Sequence, residues 1–400
     1  MNRHTRPFAR SVRNVQGPGG SRTYFSHMIR WLMVAISLAC LPWMACAQVV
    51  VPFTTANDRF GVFQAGRFQT LESRAPLSVW PMGERLAYVA HDGRLMLFHQ
   101  GQALVLAQGL PADTASRSAV VKASRTTIAW RDGPMLRVAQ DGRSHELGRE
   151  VGSFSVHDSL VVFHDLAERT LNVLWKGRSF PVADVAHLTE APQWKAGANT
   201  LVFHDRSSGK VHLCYRGEVR MLCDSAGHAL VDAGLDVVAF MDDAADMFRV
   251  FHRGRIHDVE QLRPARFTAA AGLVAYISAT GGFRVFQDGS VHRVSSSAPT
   301  DFFTRDSTVT WIGEGRWNTF CHGLVETIER YVPESWQASG TVLAYPDLNR
   351  ELRLFRLGER TVVTTEAGIR HFLLVDDAVT WTSAEGDVRV WWQGRVYEHE

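Results

Sequence analysis

Residues 86–101 read LAYVAHDGRLMLFHQG: an apolar run with a tyrosine, a polar turn, a second apolar run and a glycine. The same order returns to the end of the chain, with 12, 13 or 14 residues between the aromatic position and its glycine. From Gly66 to Gly394 there are 328 residues over nine steps, a period of about 36, and a fixed period of this size is typical of repeat architectures. The aromatic positions are Phe53, Tyr88, Trp130, Phe163, Phe203, Phe240, Tyr276, Trp311, Tyr345 and Trp381.

Each repeat contains four short apolar runs that are separated by Gly, Asn, Asp and Ser clusters, which predicts an antiparallel meander. In the fifth repeat these runs are 192–195, 201–203, 211–215 and 219–222. Val211 and Cys214 lie on opposite faces of the third strand, and the equivalent positions of the other repeats are apolar too. A sheet that is apolar on both faces must pack between two neighbours. We therefore predict an all-β fold, a β-propeller of four-stranded antiparallel blades with about ten repeats of about 36 residues.

The repeat pattern leaves two properties open: how the blades divide into rings, and at which strand each blade begins. One ring of ten blades is favoured over two rings of five, because the chain shows no linker between repeats. Two frames remain open. Either the blade begins at the aromatic strand and the last blade lacks its outer strand, or the first blade lacks its inner strand.

The order of strands and turns resembles the WD40-like propellers of the TolB and dipeptidyl-peptidase-IV type. The match is carried by Ala344-Tyr345-Pro346-Asp347 followed by Leu352-Arg353-Leu354-Phe355, and the resemblance covers residues 49–400. The SPDG turn of that family is absent, as is its catalytic hydrolase domain, so the resemblance implies a propeller and no peptidase activity.

The first 47 residues are predicted to form an N-terminal extension and signal peptide, and 48–400 the propeller domain. Residues 31–39 are an apolar run too short to span a bilayer, and Ala45-Cys46-Ala47 fits the small-x-small cleavage rule. We expect a mature start at Gln48, with Met1 or Met28 as the first residue. These features predict an exported protein, periplasmic, on the cell surface or secreted, with no stable membrane span after cleavage.

The composition excludes several classes of partner and cofactor. The formal net charge is +2 and arginines concentrate in residues 1–30, so no nucleic-acid partner is expected. Three cysteines follow the predicted cleavage site, and no C-x-x-C is present, so we expect neither a metal nor a cofactor. Cys214 and Cys223 flank one hairpin, in which Cys214 is expected near Val219. The two cysteines are then about 13 Å apart along the strand, beyond the reach of a disulfide.

Polar side chains gather in the turn after the aromatic strand. In the frame that begins at the aromatic strand, these turns share a rim with the long connections 108–118 and 184–191, where a ligand would bind. Aspartate alone also suits a β-turn, because its side chain bonds to its own backbone. The candidate ligand-binding residues are His91, Asp92, Asp132, His164, Asp165, His204, Asp205, Asp242 and Asp347.

A second recurring residue is the arginine five positions before the glycine, whose head is expected to reach carboxylates or carbonyls while its stem packs between blades. These arginines are Arg137, Arg249, Arg284, Arg353 and Arg389.

Catalytic motifs such as G-x-S-x-G, H-E-x-x-H and the phosphate loop are missing, so no catalytic residue is predicted. The main functional hypothesis is an exported non-catalytic propeller that acts as a binding or scaffold module for a protein or glycan ligand. The alternative is a propeller-fold glycan hydrolase or lyase with carboxylates on one rim, which two carboxylates about 5–10 Å apart in a deep pocket would favour.

Overall fold

The computed structural model describes residues 49–399 apart from 141, 189–190, 206–207, 367–368 and 370. The predicted extension and signal peptide therefore lie outside the described residues. Residues Ala47–Glu400 form one compact unit. Nine of its ten sheets have four antiparallel strands in chain order, and the first sheet has three.

The strands are short, and four successive strands make one blade. Blades 1 to 3 contain β1 (Val50–Thr54), β2 (Phe60–Gln64), β3 (Arg67–Glu72), β4 (Ser78–Met82), β5 (Arg85–Val89), β6 (Leu95–His99), β7 (Gln102–Ala107), β8 (Val121–Ala123), β9 (Thr127–Asp132), β10 (Met135–Gln140) and β11 (Arg143–Gly148). Blades 4 to 6 contain β12 (Val151–Val156), β13 (Leu160–Asp165), β14 (Thr170–Trp175), β15 (Arg178–Asp184), β16 (Trp194–Ala196), β17 (Thr200–Asp205), β18 (Lys210–Tyr215), β19 (Glu218–Cys223), β20 (Val231–Gly234), β21 (Val237–Asp242), β22 (Met247–His252) and β23 (Arg255–Glu260).

Blades 7 to 10 complete the ring. They contain β24 (Arg266–Ala269), β25 (Leu273–Ile277), β26 (Phe283–Gln287), β27 (Ser290–Ser295), β28 (Asp301–Arg305), β29 (Thr308–Gly313), β30 (Arg316–Cys321), β31 (Leu324–Glu329), β32 (Gln337–Ser339), β33 (Val342–Pro346), β34 (Leu352–Arg356), β35 (Glu359–Thr364), β36 (Phe372–Val375), β37 (Ala378–Thr382), β38 (Val388–Trp392) and β39 (Arg395–Glu398).

The strand pairing shows at which strand each blade begins, which the sequence leaves open. Blade 1 is β1-β2-β3 and lacks an inner strand among the described residues, whereas blade 10 has all four strands. The frame that begins at the aromatic strand is therefore wrong. The ring closes where Val51 and Phe63 of blade 1 pack on Val375 and Val390 of blade 10, so the single ring is confirmed and two rings of five are excluded.

The geometry of the hairpin turn explains why a glycine recurs in each repeat. In the fifth blade Tyr215 pairs with Glu218, so the hairpin loop is the two residues Arg216 and Gly217. Their φ angles are +52° and +86°. A two-residue hairpin of type I′ requires positive φ at both positions, and glycine adopts such an angle without steric cost.

Apolar side chains on the two faces of a blade contact two different neighbours. Val211 and Leu213 of blade 5 pack with Phe240 of blade 6, while Cys214 packs with Val173 of blade 4. Every aromatic position is buried, and each ring from Tyr88 onward packs on the third strand of the preceding blade, as Trp311 does on Phe283 at 5.5 Å between centroids. The predicted sandwich of blades is confirmed.

The cysteine register is confirmed as well. Cys214 pairs with Val219, and Cys223 lies opposite Val211 at the far end of the same hairpin. Both thiols are free and buried, and burial raises the pKa of Cys214 to about 11 and that of Cys223 to about 12.

One connection contains a helix that the sequence analysis did not predict. Helix α1 (Thr114–Val120) lies between blades 2 and 3 and begins at Asp113, whose carboxylate accepts a hydrogen bond from the Ser116 N–H at 2.8 Å. Among the described residues, the other helical segment is one 3₁₀ turn at His228–Leu230. Seven residues are too few to give a clear helical period, which explains why α1 was missed.

Candidate functional site

The aspartate turns lie beside the connections between blades. The Leu110 N–H of the connection after blade 2 donates to the Gly93 carbonyl at 3.0 Å. In blade 4 the Val185 N–H likewise donates to the Arg169 carbonyl at 2.9 Å. The turn between the second and third strands therefore supports the neighbouring connection, and both lie on one rim, which we call the connection rim.

Each aspartate of this rim bonds within its own hairpin. The Asp165 carboxylate accepts from two backbone N–H groups at 3.0 Å, and Asp205 accepts from the Ser208 hydroxyl at 2.6 Å. Asp132 pairs with Arg137 at 3.1 Å. Hydrogen bonds from Arg94 lower the pKa of the exposed Asp92 carboxyl.

Two further rim aspartates are held by the recurring arginine as well as by backbone. Asp242 accepts from the Ala244 N–H at 3.1 Å and from Arg249 at 2.5 Å. Asp347 accepts from the Asn349 N–H at 2.8 Å and pairs with Arg353 at 2.7 Å. The remaining recurring arginines have carboxylate partners too, so the prediction for their heads is confirmed: Arg137 pairs with Asp132, Arg284 with Glu260, and Arg389 with Glu366 and Glu398.

The rim residues are spread around the ring rather than gathered in one pocket. His91 is exposed, while His164 is half-buried and its pKa is lowered by burial. His204 and Asp205 together line a cavity of about 280 Å³ between blade 5 and the connection that follows blade 4. Asp347 lines a separate cavity of about 1090 Å³ in blades 9 and 10. One predicted pair thus lines a cavity, and neither cavity combines predicted residues of different blades.

A further candidate site, which combines residues of six blades, lies at the centre of the ring, on the inner strands. A cavity of about 850 Å³ is lined by β4, β8, β28, β32 and β36 and by the turns that follow them. These inner strands are three to five residues long, and they have little hydrophobic pattern, so the sequence analysis missed the cavity. Its wall combines residues from blades 2, 3, 4, 8, 9 and 10.

One ion pair and three hydrogen bonds link blades in the wall of this cavity. Arg125 of blade 3 forms an ion pair with Asp376 of blade 10, and the Arg125 N–H donates to the Asp158 carboxylate at 3.0 Å. The Asp306 carboxylate accepts from the Gly340 N–H at 2.7 Å. The Asp376 N–H donates to the Ser339 hydroxyl at 3.1 Å. The three hydrogen bonds join neighbouring blades, and the ion pair joins blades 3 and 10, so together they hold the cavity wall in place.

Aromatic side chains supply the apolar part of the wall. Trp80 of β4 and Trp336, which precedes β32, are half-buried, and Phe303 of β28 is 41% exposed. Phe303 meets Trp336 edge-on with 5.3 Å between ring centroids, and Trp336 rests on the buried Trp317 at 5.4 Å. A fixed aromatic surface beside paired charges can contact both apolar and hydroxyl-bearing parts of a ligand.

In the part of the chain that the structure describes, no group of three His, Cys, Asp or Glu side chains is placed to hold a metal ion. Within the same residues, no helix is long and apolar enough to cross a membrane.

The ten closed blades and the central cavity define a β-propeller. Residues 44–397 match the family described as "10-bladed beta propeller domain", and the chain belongs to that family. A comparison with curated proteins found no match.

Among solved structures, the chain is similar to the computationally designed Ika8 protein, with 15% identity and a TM-score of 0.34 over 68% of this chain and 95% of the other. It is also similar to the CRINKLY WD40 ectodomain of the Arabidopsis thaliana receptor kinase ACR4, with 9% identity and a TM-score of 0.33 over 61% and 93%. A third similarity is to PorZ, a surface component of the type-IX secretion system of Porphyromonas gingivalis, with 7% identity and a TM-score of 0.25 over 89% and 59%.

Proposed function

We propose that this ten-bladed propeller is an exported, non-catalytic binding module that takes a protein or glycan ligand in its central cavity. The observation that carries the proposal is the cavity of about 850 Å³, in which Trp80, Phe303 and Trp336 stand beside the Arg125–Asp376 ion pair. Pockets of this size with convergent polar groups are the usual ligand sites of proteins. We also propose that the protein is exported and that it is related to the TolB-type propellers.

The hydrogen bonds and the ion pair of the cavity carboxylates favour a binding function over glycan hydrolysis. Asp158, Asp306 and Asp376 of the cavity wall each take part in a hydrogen bond or ion pair that joins blades. A glycosidase needs one carboxylic acid that gives up a proton and one carboxylate that attacks or activates water. Carboxylates that already hold the wall together are suited to structure and to fixed ligand contacts.

The connection rim offers a second contact surface within this proposal. His204 and Asp205 are its best-placed members, because they line a cavity together with Phe203 and His212.

The cavity is tested by Trp336→Ala. We expect this variant to weaken capture of any ligand found by glycan array or pull-down about tenfold or more, because stacking and burial on an aromatic ring dominate many such sites. Trp175→Ala is the matched control, since Trp175 is also half-buried but lies at the outer end of blade 4. Surface plasmon resonance measures both variants. Equal loss in both, or no loss in Trp336→Ala, would contradict the cavity as the ligand site.

A further inference from the structure

One part of the central cavity combines an exposed aromatic surface with polar groups. Strand β28 lines the cavity with Phe303 and Arg305, which share one face of the strand and stand about 7 Å apart along it, at about 3.3 Å per residue. Asp306 follows directly, in the turn after the strand, and also lines the cavity. Trp336 of blade 9 meets the Phe303 ring edge-on. We call these four residues the blade 8–9 surface.

The aromatic half of this surface is held in place by its neighbours. Trp336 packs on the fully buried Trp317 with 5.4 Å between ring centroids. Gln337, the next residue, is fixed to blade 10, because its Nε2 donates to the Phe372 carbonyl at 2.6 Å and its Oε1 accepts from the Leu374 N–H at 2.8 Å. A ligand that stacks on Trp336 therefore meets a preorganised ring, which lowers the entropy cost of binding.

The polar half has hydrogen-bonding capacity that the described residues do not use. The exposed Arg305 side chain makes no ion pair or hydrogen bond with any of them, so its guanidinium donors can reach a ligand. Asp306 accepts one hydrogen bond, from the Gly340 N–H to Oδ2 at 2.7 Å, and its Oδ1 accepts none from the described residues. A donor and an acceptor thus stand on adjacent residues beside the aromatic rings.

The charges of the cavity wall argue against a charged ligand. The charged residues that line the cavity are Arg125, Asp158, Arg305, Asp306 and Asp376. At the blade 8–9 surface an anionic group would be repelled by Asp306, and a cationic group would be repelled by Arg305. A neutral ligand avoids both repulsions and can still form hydrogen bonds with both side chains.

The same groups favour a sugar over an apolar protein side chain. An apolar side chain that covered Phe303 and Trp336 would also take water away from Arg305 and Asp306 without replacing its hydrogen bonds, which is unfavourable. A sugar ring has an apolar C–H face and hydroxyls on neighbouring carbons, and each hydroxyl both donates and accepts. The face can stack on the aromatic rings while one hydroxyl accepts from Arg305 and another donates to Asp306.

We propose that the central cavity binds a neutral glycan chain, one sugar unit of which stacks on Phe303 and Trp336 and forms hydrogen bonds with Arg305 and Asp306. This inference rests on the proposed function and narrows its ligand from a protein or glycan to an uncharged glycan. It also makes Arg305 a specificity-determining residue, because its guanidinium favours a hydroxyl-bearing ligand over an apolar one.

The test measures oligosaccharide binding by isothermal titration calorimetry, with protein isolated from cells that express the whole chain. The neutral probes are cellohexaose, maltohexaose, mannohexaose and chitohexaose, and the acidic probe is oligogalacturonate. We expect at least one neutral probe to bind with an affinity that high salt leaves unchanged, because no ion pair contributes. Arg305→Met is expected to weaken this binding about tenfold or more, the effect of losing one hydrogen bond to a charged group.

Arg255→Met is the matched control, because Arg255 is also exposed and lies on the outer strand of blade 6, away from the cavity. It should bind the neutral probe like the unmodified protein. The inference is overturned if no neutral probe binds, if oligogalacturonate binds more tightly, or if Arg305→Met keeps full affinity.

The failure of this inference can be told apart from the failure of the proposed function. A protein ligand that Trp336→Ala loses, together with no oligosaccharide binding, would keep the cavity as a binding site and reject only the glycan. Absence of both a protein ligand and an oligosaccharide that depend on Trp336 would reject the two together.

Discussion

Trp311→Ala is expected to lower the free energy of unfolding by about 3–5 kcal/mol, the usual cost of emptying a buried aromatic site. Trp311 is 4% exposed and packs with Phe283, Phe302 and Phe320 between blades 7 and 8. The substitution removes a ring that two blades share, so the interface loses contacts on both sides.

Asp205→Ala is the comparison for this prediction. Asp205 accepts a hydrogen bond from Ser208 in a turn, and its loss should cost about 0.5–1 kcal/mol. Urea unfolding followed by circular dichroism measures both variants. If Trp311→Ala unfolds like the unmodified protein while Asp205→Ala is strongly destabilised, the aromatic position does not form the blade interface.

Arg117→Met is expected to lower the free energy of unfolding by a similar amount, about 3–5 kcal/mol. Arg117 is 2% exposed and its guanidinium makes five hydrogen bonds, which use all its donors. The acceptors are the Ser78 hydroxyl at 2.7 Å, the Thr114 hydroxyl at 3.2 Å and the carbonyls of Leu77, Pro111 and Ala112 at 2.8, 3.0 and 2.6 Å.

Methionine fills much of the space but donates no hydrogen bond. Five part-buried hydrogen bonds are lost. An acceptor that is left without a partner away from water costs about 1–3 kcal/mol, and the connection between blades 2 and 3 loses its anchor to the start of β4. Arg149→Met is the control, because the Arg149 side chain is 91% exposed and surface substitutions usually change stability by less than about 0.5 kcal/mol. Equal urea midpoints for the two variants would contradict the anchoring role of Arg117.

The features that the sequence predicts are those that every blade repeats. The aromatic ring, the glycine of the hairpin and the recurring arginine stand at a fixed spacing, and turn geometry and burial explain each of them. The register of Cys214 and Cys223 could be predicted for the same reason, because a two-residue loop fixes which residues face each other.

The features that the sequence analysis missed depend on contacts that no repeat encodes. Arg125 and Asp376 meet although 251 residues separate them, and inner strands such as β8, with sequence VKA, have too few residues to show a period. The three described strands of blade 1 correspond to only one of the two frames that the sequence allows, because the strand order of a repeat does not reveal where the ring begins. The central cavity was missed because it is formed by the short inner strands and by contacts between distant blades.

The central claim is that ten repeats close one ring, with blade 1 against blade 10. A benzophenone-bearing phenylalanine at position 68 tests it directly, because the Phe68 ring lies 5.2 Å from the His399 ring. Irradiation followed by peptide mapping should recover cross-links from position 68 to residues 395–399 of the same chain. Cross-links to blade 5, residues 194–223, would contradict the single ring and favour two rings of five blades.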